Sequence, residues 1–131
     1  MARRYWTGSH TKHRLRFHLV WIPKKRKKIL SGKIANRIQE LCYEACKVNK
    51  WWIEEISIQE NHLHMLIQIK PRESIAEVVK IIKGGTSRKI KQEYPESEAF
   101  DWSNTLWCDG YFAESVGQVN ESVIKDYIKN Q

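Results

Sequence analysis

Apolar and polar side chains alternate along Arg14–Ile22, "RLRFHLVWI", a run rich in aromatic and β-branched residues. That pattern predicts a strand, ended by Pro23 and the lysines after it. From Lys33 to Val48 the period changes. Ile34, Ile38, Leu41, Ala45 and Val48 recur at helical spacing and predict an amphipathic helix. "WWIEEISIQ" and "HLHMLIQIK" predict two further strands, and the tight Glu60-Asn61 turn between them predicts an antiparallel hairpin. Pro71 ends the second of these. Ser74 to Glu77 has capping-box spacing and opens a helix with Ile75, Val78, Val79 and Ile82 on its inner face. Gly84-Gly85 weakens that helix, and "TSRKIKQEY" is able to carry it on. The glycines mark either a helix end or a close approach of backbone or ligand. "PESEAFDWSN" reads as a loop. "TLWC-DG-YFAESV" reads as a hairpin closed by Asp109-Gly110. Asn120 caps a final helix over about 121–131.

The order strand–helix–strand–strand–helix–strand predicts an α+β fold of ferredoxin-like or RRM-like (split βαβ) type. Two helices cover one face of an antiparallel sheet, and residues 1–131 make one domain. Neither repeats nor a low-complexity linker interrupt it. Residues at i and i+2 of a strand share a face. Leu63, Met65, Ile67 and Ile69 therefore go to the helix-covered side, and His62 and His64 stand together on the open side.

Composition adds limits. With 41% hydrophobic and 11% aromatic residues in 131, the chain has material for a core and is not of disordered type. Its apolar runs fall short of a membrane span, and its N-terminus lacks the apolar core of a signal peptide. A cytoplasmic protein is expected. Cys42 and Cys46 lie one helical turn apart without any Cys-x-x-Cys pair, so they read as reduced and partly buried.

Charge changes the picture more. The formal net charge is +8, yet residues 1–50 hold 14 Lys and Arg against two Glu. A one-sided basic surface favours a polyanion, most simply nucleic acid. The densest cluster is Lys24, Lys25, Arg26, Lys27 and Lys28, and "ARRYW" and "HTKHRLR" add aromatics among cations, which suits single strands with stackable bases. Lys83 and Arg88, beside the glycine pair, are second candidate DNA contacts. A solvated loop and an exposed helix face are the plainer readings of the two groups.

Two imidazoles on one strand face are able to share a metal ion, although a short His-x-His motif alone is commonly incidental. No Cys, Asp or Glu cluster has zinc-like spacing. In the last helix, "VIKDYIKNQ" puts Tyr127 and Gln131 four residues apart on one helical face. A phenol is a nucleophile when a positive charge lowers its pKa, and an amide oxygen is an acceptable ligand for a hard metal. Taken alone, the helix favours the plainer reading, with Tyr127 a packing residue and Gln131 a solvated end.

Together, "HLHMLI", "GYFAESVG" and "YIKNQ", with the opening "FHLVWIPKKRKKIL", closely resemble the small single-tyrosine transposases of the HUH superfamily, from about His13 to Gln131. These act on single-stranded DNA at the hairpin-bearing ends of compact insertion sequences. The resemblance implies His62, His64 and Gln131 as ligands of a divalent metal, Mg²⁺ or Mn²⁺, and Tyr127 as the nucleophile on the C-terminal helix. It implies cleavage through a 5′-phosphotyrosine, and a homodimer with composite sites in which Tyr127 reaches the partner's histidines in trans. No phosphate-binding loop of Gly-x-x-x-x-Gly-Lys-Ser/Thr type is present, as fits chemistry without a nucleotide cofactor. Two alternatives share much of this evidence. One is a related HUH nuclease acting on chromosomal repeats or origins. The other is a non-catalytic single-strand binder with Trp21, Trp51 and Trp52 as stacking aromatics, although no RNP-like string is present.

Overall fold

A computed structural model describes residues 6–7, 12–13, 15–24, 30, 32–97, 100, 105–117 and 128–129. A small antiparallel pair, β1 (Trp6–Thr7) and β2 (Lys12–His13), precedes the main sheet. That sheet contains β3 (Leu15–Trp21), β4 (Trp52–Gln59), β5 (His62–Ile69) and β6 (Phe112–Ser115), in the order β4-β5-β3-β6 and antiparallel throughout. Helices α1 (Gly32–Asn49) and α2 (Ile75–Glu93) lie against one face. This is the α+β arrangement expected from the strand–helix order.

One face of the sheet makes the core. Leu63, Met65, Ile67 and Ile69 of β5 are at most 1% exposed. They cluster with Leu19 and Trp21 of β3, Ile53 of β4, and buried residues of both helices. In α1 these are Ile38, Leu41, Cys42 and Cys46; in α2 they are Val78, Val79, Ile82 and Ile90. Burial pushes the Cys46 thiol up to about 12 and raises Cys42 as well, so both are unreactive core thiols. All three cysteines are free. Trp21 and Trp51 are 2% and 5% exposed within this core, so neither is available to stack a nucleic-acid base.

The hairpin turn at Glu60-Asn61 forms as expected, with Gln59 facing His62. Ser74 caps α2, its side chain accepting from the Glu77 amide at 3.1 Å. α2 runs unbroken through Gly84-Gly85. The turns on either side and buried Thr86, Ser87 and Ile90 hold it there.

The expected hairpin at Asp109-Gly110 is not formed. Residues 105–115 run in one direction along the edge of β3. Trp107 bridges Pro23, and Phe112 pairs with Val20, both antiparallel. Three steps along β3 thus match five along the edge, so the Asp109-Gly110 segment holds two extra residues as an interruption. Gly110 supplies the positive φ of +86° that this kink requires. Pro23 has no N–H to extend the upstream pairing. The bonds there run from the Lys24 amide to the Leu106 carbonyl and from the Cys108 amide to the Ile22 carbonyl, both 2.9 Å. α2 clamps the same segment. The Leu106 amide donates to Ser87 Oγ at 2.9 Å, and Trp107 Nε1 donates to Thr86 Oγ1 at 2.8 Å.

Candidate active site

The sheet's second face is where polar chemistry collects. Pairing β3 with β5 sets Val20 opposite His64 and His18 opposite Leu66. His18 thereby becomes a diagonal neighbour of His64 on the same face. The His62 and His64 rings lie 4.6 Å apart, centre to centre, at 86° to each other. His62 Nδ1 is 2.7 Å from Asn61 Oδ1, and His62 Nε2 is buried without a hydrogen-bond partner. His64 Nδ1 is 3.5 Å from His18 Nε2, with ring centres 5.7 Å apart and planes 13° apart. The centres exceed the nitrogen separation by about two ring radii, so the two rings meet edge to edge and nearly coplanar, the geometry of a long in-plane hydrogen bond.

Burial, followed by the nearness of His62 and His18, pushes the His64 pKa down to about 4. Burial also lowers His18, against an upward pull from Glu114 directly across the β3–β6 pair. His64 is therefore neutral at pH 7, with a lone pair to offer, as a ligand histidine must be. Two imidazoles, one with an orphaned buried nitrogen, fit a metal ion of borderline character, and a harder ion would need oxygen ligands beside them. Among the described residues, no group of three His, Cys, Asp or Glu side chains converges to hold one. A third protein ligand would have to come from elsewhere.

Deeper on this face Arg16 Nε donates to Glu54 Oε2 at 2.7 Å, with both side chains under 5% exposed, and Gln68 Nε2 reaches the same carboxylate at 3.5 Å. An irregularity in β4 between Ile53 and Glu55 accompanies the placing of Glu54. Leu66, Val116 and Ile128 form a small second cluster, with Ile128 fully buried and Lys129 Nζ 3.4 Å from Glu55 Oε1. Leu66 lies two residues from His64 in β5, so Ile128 rests on the histidine face of its own chain.

The expected site residues fare differently. His62 and His64 share one face, as their spacing required. Tyr127 and Gln131 lie outside the described residues, as do Lys25, Arg26, Lys27 and Lys28. Lys24 is half-buried at the end of the β3 line. The Lys83 ammonium is taken up by the carbonyls of Cys108 and Gly110, at 2.7 and 2.8 Å, and burial lowers its pKa. It steadies the kinked edge. Arg88 is exposed beside a groove of about 560 Å³ between α1 and α2, across the sheet from the histidines. His18 and Asn61 were missed from the sequence. The alternation of "RLRFHLVWI" already put Arg16 and His18 on one face, but only the β3–β5 register brings that face to His64.

A four-stranded antiparallel sheet, backed by two helices and carrying paired histidines on its other face, defines the class of this chain. Within that class the family is the IS200-like transposases, to which this chain belongs: residues 11–131 match the family described as "Transposase IS200 like". The chain is 26% identical over 119 residues to the ISDra2 transposase TnpA of Deinococcus radiodurans, covering 91% of this chain and 85% of that one. It is 28% identical over 123 residues to the transposase for insertion sequence element IS200 of Salmonella typhimurium, covering 94% and 80%. A crystal structure from Deinococcus radiodurans, of a protein assigned as a transposase, has the same fold with a TM-score of 0.79, 24% identity, and coverage of 96% of this chain and 97% of that one. A REP-associated tyrosine transposase bound to a REP hairpin superposes with a TM-score of 0.64 at 12% identity, over 98% and 68% of the two chains. Among the described residues, no helix is long and apolar enough to cross a membrane.

Proposed function

We propose that this chain cleaves and rejoins single-stranded DNA at hairpin-bearing ends of an insertion sequence, with Tyr127 as nucleophile and with His62, His64 and Gln131 holding a divalent metal, Mg²⁺ or Mn²⁺. The observation that carries this reading is the buried, unpartnered Nε2 of His62 beside neutral His64. The metal would supply Lewis-acid polarisation of the scissile phosphate. Tyr127 Oη attacks phosphorus, the P–O3′ bond breaks, and the DNA 3′ oxygen leaves and takes up a proton. The result is a 5′-phosphotyrosine and a free 3′-OH. Attack by a 3′-OH on that phosphotyrosine reverses the linkage in a new arrangement. The phosphodiester energy is conserved, so no nucleotide is consumed.

The packing of Ile128 with Leu66 and Val116 supports a C-terminal segment that works at the histidine face. We further propose a homodimer. β6 is an edge strand of the described sheet, available to pair across a two-fold axis. The hairpin-bound relative supports hairpin recognition and keeps open the alternative of a nuclease acting on chromosomal repeats. A passive single-strand binder is disfavoured by the burial of Trp21 and Trp51.

The test is denaturing electrophoresis of the chain with labelled hairpin DNA and Mg²⁺ or Mn²⁺. A metal-dependent covalent adduct is expected, absent in Tyr127→Phe while hairpin binding persists. An adduct at the wild-type level in Tyr127→Phe refutes the assignment. Mixing His64→Ala with Tyr127→Phe chains, with subunit exchange verified, restores part of the cleavage only if sites are shared in trans.

A further inference from the structure

Each histidine of the pair has a neighbour on its Nδ1, and the two neighbours come from different elements. Asn61 is the turn residue immediately before β5, and its Oδ1 lies 2.7 Å from His62 Nδ1. An amide oxygen only accepts, so that nitrogen carries the proton and His62 Nε2 is a bare lone pair. The same Nε2 is the buried atom without a partner. On the next strand, His18 Nε2 meets His64 Nδ1 edge to edge at 3.5 Å. Either ring is able to donate in that bond. If His64 donates, its Nε2 carries a lone pair and no proton, as that of His62 does. His18 lies behind His64, on the Nδ1 side, and so stands outside the ligand set.

We propose that Asn61 and His18 are positioning residues that fix both histidines as Nδ1–H tautomers, presenting two Nε2 lone pairs to one divalent cation. The proposal rests on the metal reading above. Metal-bound imidazoles generally donate their other N–H to such a partner, and losing the partner weakens metal binding roughly 10- to 100-fold. Without these partners each neutral ring would divide between two tautomers, only one of them competent at Nε2.

The test uses the full chain, free of metal and ¹⁵N-labelled, at about pH 8, where ordinary imidazole is neutral. Long-range ¹H–¹⁵N correlation spectra read the tautomers directly. Both rings are expected as Nδ1–H. A proton on Nε2 of either ring in the wild type overturns the proposal. His18→Phe and Asn61→Ala should return the neighbouring ring to a tautomer mixture, with wild-type amide spectra confirming the fold. They should also weaken Mn²⁺ binding, followed by calorimetry and electron paramagnetic resonance, about 10- to 100-fold. Asn61→Asp and His18→Gln keep an acceptor and should recover much of that loss. Mn²⁺ affinity unchanged in His18→Phe and Asn61→Ala also overturns the proposal. The metal reading fails separately, if wild type with both Nδ1–H tautomers binds no Mn²⁺ even with hairpin DNA present.

Discussion

The two faces of β5 are both buried, and they are held together in different ways. On one, Leu63, Met65, Ile67 and Ile69 pack against two helices with no polar group among them. On the other, His64 and Gln68 are also nearly or fully buried, but each depends on a particular partner: His18 for one, Glu54 for the other. Apolar burial stabilises in proportion to area and tolerates some change of shape. Polar burial stabilises little and is costly when a partner goes. A strand that accepts the second arrangement at His62, His64 and Gln68, with only Leu66 apolar among them, gives up stability that an apolar face would provide. A reactive site on that face accounts for the choice.

The sharpest way to break this comparison is to remove one member of the buried charge pair on the polar face. Arg16→Met or Glu54→Leu should each cost about 3–5 kcal/mol in urea unfolding, because a buried charge loses its counter-ion. The double variant should recover most of that loss. Single costs below about 1 kcal/mol would mean that the pair behaves as a solvated one.

Next come two neighbours in sequence on opposite faces. Met65→Ala should cost about 2–5 kcal/mol of stability through the cavity it leaves. His64→Ala should unfold closer to wild type while losing at least about a hundredfold in DNA cleavage, more than it loses in DNA binding. The comparison fails if both variants lose stability equally and cleavage follows stability.

The strands and helices were legible because period 2 and period 3.6 are local properties. The three long strands and α1 appear within a residue or two of their expected bounds, and α2 starts where the Ser74 cap predicted and continues past the glycines. The final helix expected over about 121–131 lies outside the described residues apart from 128–129. The edge segment was misread for a reason local pattern does not contain. Asp109-Gly110 is a good turn sequence, but Thr86, Ser87 and Lys83 of α2 bind the chain just before it and at Gly110 itself, and β3 pairs with it from Phe112 on, which keeps it running along β3. The site was half legible. His62 and His64 announce themselves by spacing, whereas His18 lies 46 residues from His64 and depends on strand register. The buried Arg16–Glu54 pair was invisible for the same reason.

Lys83 separates structural from nucleic-acid roles for the basic residues. Lys83→Met should cost about 1–3 kcal/mol, since two carbonyls lose a charged donor. The slope of log binding constant against log salt should stay as in wild type. If Lys83 contacts a phosphate instead, that slope falls by about one unit. Neutralising Lys24, Lys25, Arg26, Lys27 and Lys28 together should flatten it by several.

The smallest effect concerns the glycine pair in α2, the counterpart of the polar face on the far side of the molecule. A β-carbon added at Gly84 or Gly85 meets nothing within 4 Å, and neither residue has a positive φ. Both sit inside a continuous helix, at the rim of the groove between α1 and α2. Geometry therefore demands glycine at neither position. Gly84→Ala and Gly85→Ala should each stabilise by about 0.5–1 kcal/mol, by restricting the unfolded chain and raising helix propensity. Urea midpoints should rise, with cleavage and hairpin binding unchanged. Stabilised variants that lose hairpin binding would show that something approaches the helix more closely than a methyl group permits. The groove side of the sheet would then join the histidine face as a working surface.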